Sequence, residues 1–265
     1  VCYRAAFSVE KMRYRVWNES RDEELFFENH KEMREYCNSC DDDRVWVDKQ
    51  KVVEPLENAL QNTNSLMHKL TEGFKYEAYL TGQGNFRHAL ATIKKYKGNR
   101  DETEKPKYYH EVREHLARRW GAKVVDGMEA DDEISIRAHE LAKQGKQPCV
   151  VSNDKDMRMI PAIHYDFTKD LYFEIGKEEA WRNFYMQCLM GDSTDNIPGL
   201  PDVGPKTAAK ILANAKGKGE MLEAVKKEWQ NRYPDGYPRD DGSLITADAA
   251  MKEVASLLWL KRTRE

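Results

Sequence analysis

The chain has 265 residues, of which 40% are hydrophobic and 34% charged, and a formal net charge of −3. That length supports one large domain or two modest ones, either able to bury a core. No apolar run approaches the roughly 20 residues of a membrane-spanning helix, and no signal-type apolar segment lies near the start, so the expectation is a soluble, intracellular (cytoplasmic) protein without a membrane partner.

Five cysteines, Cys2, Cys37, Cys40, Cys149 and Cys188, form an odd set at irregular spacing, which argues against a disulfide framework. Cys37-Asn-Ser-Cys40 has the spacing of half a zinc site. No second Cys or His pair completes it, so these cysteines read as surface thiols.

In chain order, VCYRAAF is apolar from its first residue and reads as cut into an element. MRYRVWNES alternates like a strand and ends in turn chemistry. Residues 22–37 read as a charged helix carrying Leu25, Phe26 and Met33. Residues 55–70 place Leu56, Leu60, Met67 and Leu70 on one helical face. YEAYLTG (76–82) is a short strand entering a Gly-rich turn. Residues 86–108 are basic with little sustained apolar periodicity, and are expected to be mobile. Residues 109–120 return to helix with Val112, Leu116 and Trp120 in register. AKVVDG (122–127) and PCVVSND (148–154) are buried-strand candidates on either side of a helix over about 130–144, an alternation that argues for a parallel sheet. IHYDF and DLYFEI read as a hairpin or edge strands. From Glu178 onward the pattern is mainly helical, interrupted by a Gly/Pro loop after Gly191 and a polar stretch at 231–243.

Charge is distributed unevenly. Lys75–Lys123 holds 12 Lys/Arg against 6 Asp/Glu, Asp126–Asp156 holds 4 against 8, and Gly204–Lys227 holds 6 against 2. Two basic zones bracket an acidic centre, as a protein holding a polyanion around a cation site would require; solvated helix faces would give the same count.

The acidic centre has structure of its own. In GMEADDE (127–133), Glu129 and Asp132 share a helical face with Asp131 beside them; such acids also complement a helix N-terminus. Asp154 and Asp156 stand two apart at the exit of PCVV, where an Asx turn is the plainer reading and a ligand site at the carboxyl end of a parallel strand the functional one. Asp192 and Asp195 are i and i+3 neighbours. Seven carboxylates packed together repel one another unless cations join them. With no matching His/Cys set, such oxygen donors suit Mg²⁺ or Mn²⁺, and a pair of ions suits phosphodiester hydrolysis. Gly199-Leu-Pro-Asp-Val-Gly-Pro-Lys-Thr207 then turns into a helix over about 207–215. Its free N–H groups, with Lys206 and Lys210, offer a phosphate contact, although a plain helix-turn-helix corner has the same pattern.

GDSTDNIPGLPDVGPKTAAKIL (191–212) resembles the helix–three-turn–helix signature of the structure-specific 5′-nucleases, a family of flap endonucleases, 5′-nuclease domains of bacterial DNA polymerases, and bacteriophage 5′-exonucleases and RNase H. GMEADDEI is similar to the family's Glu-x-Asp-Asp motif, VVSNDKDMRMIP to its strand-exit Asp-x-Asp motif, and FRHALATIKKYKGNR to the basic arch segment of the phage members. The four motifs run in family order over about residues 80–215. The resemblance implies an α/β fold: a mostly parallel central sheet flanked by helices (a PIN-like core) over 1–175 with an arch at about 86–120. A helical region would follow over 176–265, with the helix–three-turn–helix at about 188–216.

It further implies metal ligation by Glu129, Asp131, Asp132, Asp154, Asp156, Asp192 and Asp195, holding two Mg²⁺ or Mn²⁺ ions. Arg87, Lys97 and Arg100 would engage the scissile phosphate. The backbone of residues 199–207, through Gly199, Val203, Gly204, Lys206 and Thr207, would grip a DNA duplex together with Lys210, with K⁺ at the loop. The implied activity is hydrolysis of DNA at a 5′ end, flap or nick by a monomer, in phage DNA replication or degradation. The alternatives are cleavage of RNA–DNA hybrids, or DNA-junction binding without cleavage. The family's aspartate after its second strand has Thr81-Gly82 in its place here, and the aspartate ending its first strand would precede Val1.

Overall fold

The computed structural model describes residues 1–40, 44–99 and 105–264. It begins with α1 (Cys2–Phe7), β1 (Glu10–Asn18), β2 (Glu23–Phe27), α2 (His30–Asn38), β3 (Val45–Val53) and α3 (Leu56–Thr71). There follow β4 (Tyr79–Thr81), α4 (Arg87–Leu90), α5 (Tyr109–Trp120), β5 (Lys123–Val125), α6 (Ala130–Lys143) and β6 (Cys149–Val151). After a 3₁₀ turn at Asp156–Met159 come β7 (Ala162–Asp166), β8 (Leu171–Ile175), α7 (Lys177–Met190), α8 (Pro205–Ile211) and α9 (Gly217–Arg232). The chain closes with β9 (Tyr237–Pro238), β10 (Leu244–Ile245) and α10 (Ala247–Leu258). The elements gather into two compact units: Val1–Ala78 with Glu104–Ala122, and Tyr79–Thr103 with Lys123–Glu265. The arch expected at 86–120 is divided between them.

The first unit contains an antiparallel sheet in the order β2-β1-β3, which buries Val16 and Asn18 on the face that α2 joins. α1, α3 and α5 pack on one another through Ala5, Ala6, Ala59, Met67, Val112 and Leu116, all buried. The single helix expected over 22–37 is corrected to a strand and a helix. Leu25 and Phe26 pair with Val16 and Arg15 of β1, and the Asn29 side chain accepts the Lys31 N–H to start α2. Tertiary strand pairing thus overrides a helical charge pattern, and an N-cap placed mid-segment marks the change. Cys40, expected as a surface thiol, is buried, and Asn18 donates to its sulfur at 3.6 Å.

The second unit is α/β. β4 and β5 form one parallel ladder and β6 and β7 another, with β8 added antiparallel to β7. Parallel pairing is as expected, but it falls in two ladders, and α6 packs on β4, β5 and β6. α7 packs on α8, α9, α10 and the 3₁₀ turn. Trp229 of α9 is fully buried and donates its indole N–H to the Cys188 carbonyl of α7 at 3.1 Å. One apolar cluster runs from Ile93 and Tyr96 through Val150 and Met157 to Leu189, Trp229, Val254 and Leu260, so the junction expected at 175/176 lies inside a shared core. Burial of Ile93 and Tyr96 also corrects the expectation of a mobile segment as far as Asn99. No described helix is long and apolar enough to cross a membrane.

Candidate active site

Three chain turns of the second unit deliver the acidic residues. After β5, Glu129 and Asp132 form a reciprocal capping box at the start of α6, each side chain accepting the other's backbone N–H. After β6, Asp154 accepts the Asp156 N–H at 2.9 Å and its own N–H donates to Ser152 Oγ at 3.0 Å, the Asx-type turn that the sequence allowed. After α7, Gly191 turns the chain at φ +69, and Asp192 and Ile197 exchange backbone hydrogen bonds of 2.9 and 2.8 Å around Asp195. Gly191 and Gly199 are required by this crossing: a Cβ on either would meet the backbone of the other strand of the loop.

Glu129, Asp131, Asp154, Asp156, Asp192 and Asp195 line one cleft of about 520 Å³. Each expectation for these six carboxylates placed them together, and they share the cleft. Among the described residues, no three Asp, Glu, His or Cys side chains converge closely enough to hold a single ion as they stand. Ammonium groups lie among them instead. Lys97 Nζ contacts Glu129 and lies 3.6 Å from Asp195, and Lys155 Nζ lies 3.4 Å from Asp192. The remaining repulsion is visible in the proton affinities. Burial, then the charges of Asp154 and Glu129, pushes Asp131 up to about 7. Burial, then Asp154, pushes Asp156 up to about 6, although Gln187 donates to it. A donor set of oxygens alone, partly desolvated and short of positive charge, fits a hard divalent cation.

Two further expected site residues are tied into the fold. Asp132 is fully buried and Arg87 is 2% exposed. The Arg87 fork holds Asp132 through bonds of 2.6 and 2.9 Å, while Nε and Nη2 donate to the carbonyls of Leu257 and Trp259 at 2.8 and 2.7 Å. The Lys261 N–H completes the coordination of Asp132 at 3.0 Å. The Asp132 oxygens are thus taken up by Arg87 and by backbone N–H groups, while Arg87 pins residues 257–261 against α6 and also borders the cleft, with Nη1 3.9 Å from Glu129. Lys97 does enter the cleft, in the left-handed region at φ 55, with its N–H bonded to the Asp195 carbonyl at 2.8 Å. Arg100 lies outside the described residues.

Of the expected duplex grip, Gly204 caps α8, and Lys206 and Lys210 are exposed one turn apart on it beside the half-buried Thr207. The Val203 side chain is buried in the core, which leaves its backbone for the expected contact. Gly199 is explained by the backbone crossing described above.

Tyr96, Lys155 and Gln187 were not anticipated. The buried Tyr96 hydroxyl donates to Asp195 at 2.8 Å and approaches Glu129 at 3.3 Å; burial first, then those two charges, holds its proton far above the usual phenol range. Its place beside Lys97 was the available signal. Thr81 accepts the Ala130 N–H at 3.0 Å, and a Cβ on Gly82 would meet Asp126 Oδ1, so a neighbouring acid fills the space next to Gly82.

The family model described as "5′-3′ exonuclease, C-terminal SAM fold" matches residues 182–240, from α7 through α9. Bacillus subtilis DNA polymerase I is 34% identical over 188 residues, covering 63% of this chain and 21% of the polymerase. A 5′-3′ exonuclease of Buchnera aphidicola is 33% identical over 156 residues, covering 54% of this chain and 53% of that protein. The chain thus spans about half or less of these relatives. The T5 D15 protein, solved with metal ions, is similar at 17% identity and a TM-score of 0.48, over 76% of this chain and 79% of that one. In the matched helical region and across these sequence relatives, the chain is similar to 5′-3′ exonucleases and to DNA polymerase I.

Proposed function

We propose that the chain is a divalent-metal-dependent nuclease that hydrolyses phosphodiester bonds of DNA at 5′ ends or flap junctions. The observation that carries this reading is the gathering of six carboxylates and Lys97 in one cleft. Glu129, Asp131, Asp154, Asp156, Asp192 and Asp195 would hold the ions, taken as two Mg²⁺ or Mn²⁺. When bound, these supply an activated water and neutralise charge on the leaving oxygen. Lys97, paired with Glu129 and near Asp195, would turn its ammonium to a substrate phosphate, and Tyr96 would keep both carboxylates in place. Lys206 and Lys210, exposed and without ion-pair partners among the described residues, would hold the phosphates of the duplex without reading its sequence. A K⁺ at that loop and a role in phage DNA replication or degradation rest on the motif resemblance.

The test is cleavage of 5′-flap and nicked duplex DNA with Mg²⁺. Asp154→Asn with Asp156→Asn is expected to lower the rate by more than about 100-fold; undiminished cleavage would sink the assignment. Parallel RNA–DNA hybrids decide whether the substrate class extends beyond DNA. Gly82 favours a second reading, a DNA-junction binder that does not cut. Substrate retained but uncleaved in Mn²⁺ by the wild-type chain would favour it.

A further inference from the structure

A second pocket, of about 750 Å³, lies on the far side of residues 257–261 from the acidic cleft. The segment separates the two because it runs extended at Trp259 (φ −67, ψ 126). Leu258 and Leu260 line the cleft, and Trp259 and Lys261 line the second pocket. The Arg87 and Asp132 bonds hold the segment in place. The acidic cleft and this pocket therefore share one chain segment, neighbouring residues of which line one or the other.

The chemistry of the second pocket is the opposite of the first. Its lining has four cations, Lys226, Lys252, Lys261 and Arg262, and no carboxylate. Lys226 is paired with Glu223 at 2.9 Å, whereas Lys252, Lys261 and Arg262 have no carboxylate partner among the described residues. Aromatic rings meet these cations. The Arg262 guanidinium lies 4.2 and 4.3 Å from the ring centres of Trp181 and Trp259, which stack on each other at 5.3 Å. Lys261 lies 5.1 Å from the ring centre of Phe86. Flat π faces flanked by unpaired positive charge suit a ligand with aromatic faces and phosphates. The volume falls within the roughly 300–1,000 Å³ of small-ligand sites, enough for a nucleotide.

We propose that this pocket holds the single-stranded part of the nucleic acid whose scissile bond enters the acidic cleft, stacking an unpaired base on Trp259 and Phe86 and placing its phosphates among Lys252, Lys261 and Arg262. The inference rests on the nuclease reading for which strand arrives. A paired duplex keeps its base faces covered, so only an unpaired nucleotide can use the rings. Recognition through stacking and charge is tolerant of sequence.

The experiment measures anisotropy of a fluorescent oligo-dT and of a blunt duplex in EDTA, which prevents cutting. The variants are Lys252→Glu with Lys261→Glu, and separately Lys206→Glu with Lys210→Glu; circular dichroism and thermal melting establish that each is folded. The first is expected to lose about 10-fold or more in oligo-dT affinity, with duplex binding and Mg²⁺-dependent cleavage of a nicked duplex within 2-fold of wild type. The second is expected to lose duplex affinity and keep oligo-dT. Oligo-dT binding unchanged in the first variant, or an equal loss on both ligands, overturns the proposal. If the first variant fails to fold, Lys252→Glu with Lys226→Glu, both at the rim, replaces it under the same criteria. Retained cleavage in Asp154→Asn with Asp156→Asn alongside the expected oligo-dT loss overturns the nuclease assignment of the cleft alone.

Discussion

Arg87–Asp132 and Lys97–Glu129 are two cation–carboxylate pairs drawn from the same two sequence motifs, and they do different work. The first is the more deeply set: both side chains are almost wholly buried, and the guanidinium's other hydrogen bonds go to backbone carbonyls, although Arg87 also borders the cleft 3.9 Å from Glu129. The second faces the cleft, where Lys97 touches Glu129 and shares Asp195 while remaining partly exposed. Charge alone cannot tell such pairs apart in a sequence. Satisfaction does: a pair whose every donor is spent holds the fold, and a pair with spare capacity can exchange its partner for a substrate or an ion.

The sharpest way to break this comparison is to remove each cation. Arg87→Ala leaves a buried, uncompensated Asp132 and is expected to cost about 3–5 kcal/mol in urea unfolding. Arg87→Lys should recover little of it, because an ammonium cannot form the fork. Lys97→Ala should cost no more than about 1 kcal/mol, while lowering the cleavage rate. Equal destabilisation by the two would erase the distinction. Next in size is the loop crossing: Gly199→Ala forces a Cβ into the Met190 backbone and is expected to cost about 1–3 kcal/mol. Gly204→Ala, with open space at its Cβ, should cost less in the same urea unfolding experiment.

A smaller effect follows from the raised carboxyls of Asp131 and Asp156. The folded, ion-free protein holds their protons up to about 7 and about 6, against the ordinary 3.8 of an aspartate in an unfolded chain. The folded state therefore binds more protons than the unfolded across that window, and stability falls as pH rises through it. Thermal melting in EDTA should show Tm declining between pH 5 and pH 8, with a shallower decline in Asp131→Asn. A Tm that rises over that range in EDTA would contradict the account of repelling carboxylates. The smallest effect is at the surface: Lys206→Ala or Lys210→Ala should move stability by less than about 0.5 kcal/mol, and reduce the salt dependence of duplex binding by about one ion each.

Much of the site was legible because its residues sit where short-range rules place them. Strand exits and a helix cap deliver Glu129, Asp131, Asp154 and Asp156, and local spacing identifies all four. The burial of Arg87 was not legible because its partners, Asp132, Leu257 and Trp259, are remote in sequence, and nothing local in FRHAL marks a buried guanidinium. Residues 257–261 were invisible as a wall for the same reason. The strand at 23–27 was hidden because its charged residues fit a helix face as well as a sheet edge, and only pairing with β1 decides.

The central claim, that the open carboxylates and not the buried pair form the ion-binding centre, is tested most directly by titrating Mn²⁺ calorimetrically into folded protein. Wild type should bind, and Asp154→Asn with Asp156→Asn should lose that binding while its urea unfolding stays at or above wild-type stability. Mn²⁺ binding equal to wild type in that double variant would contradict the account.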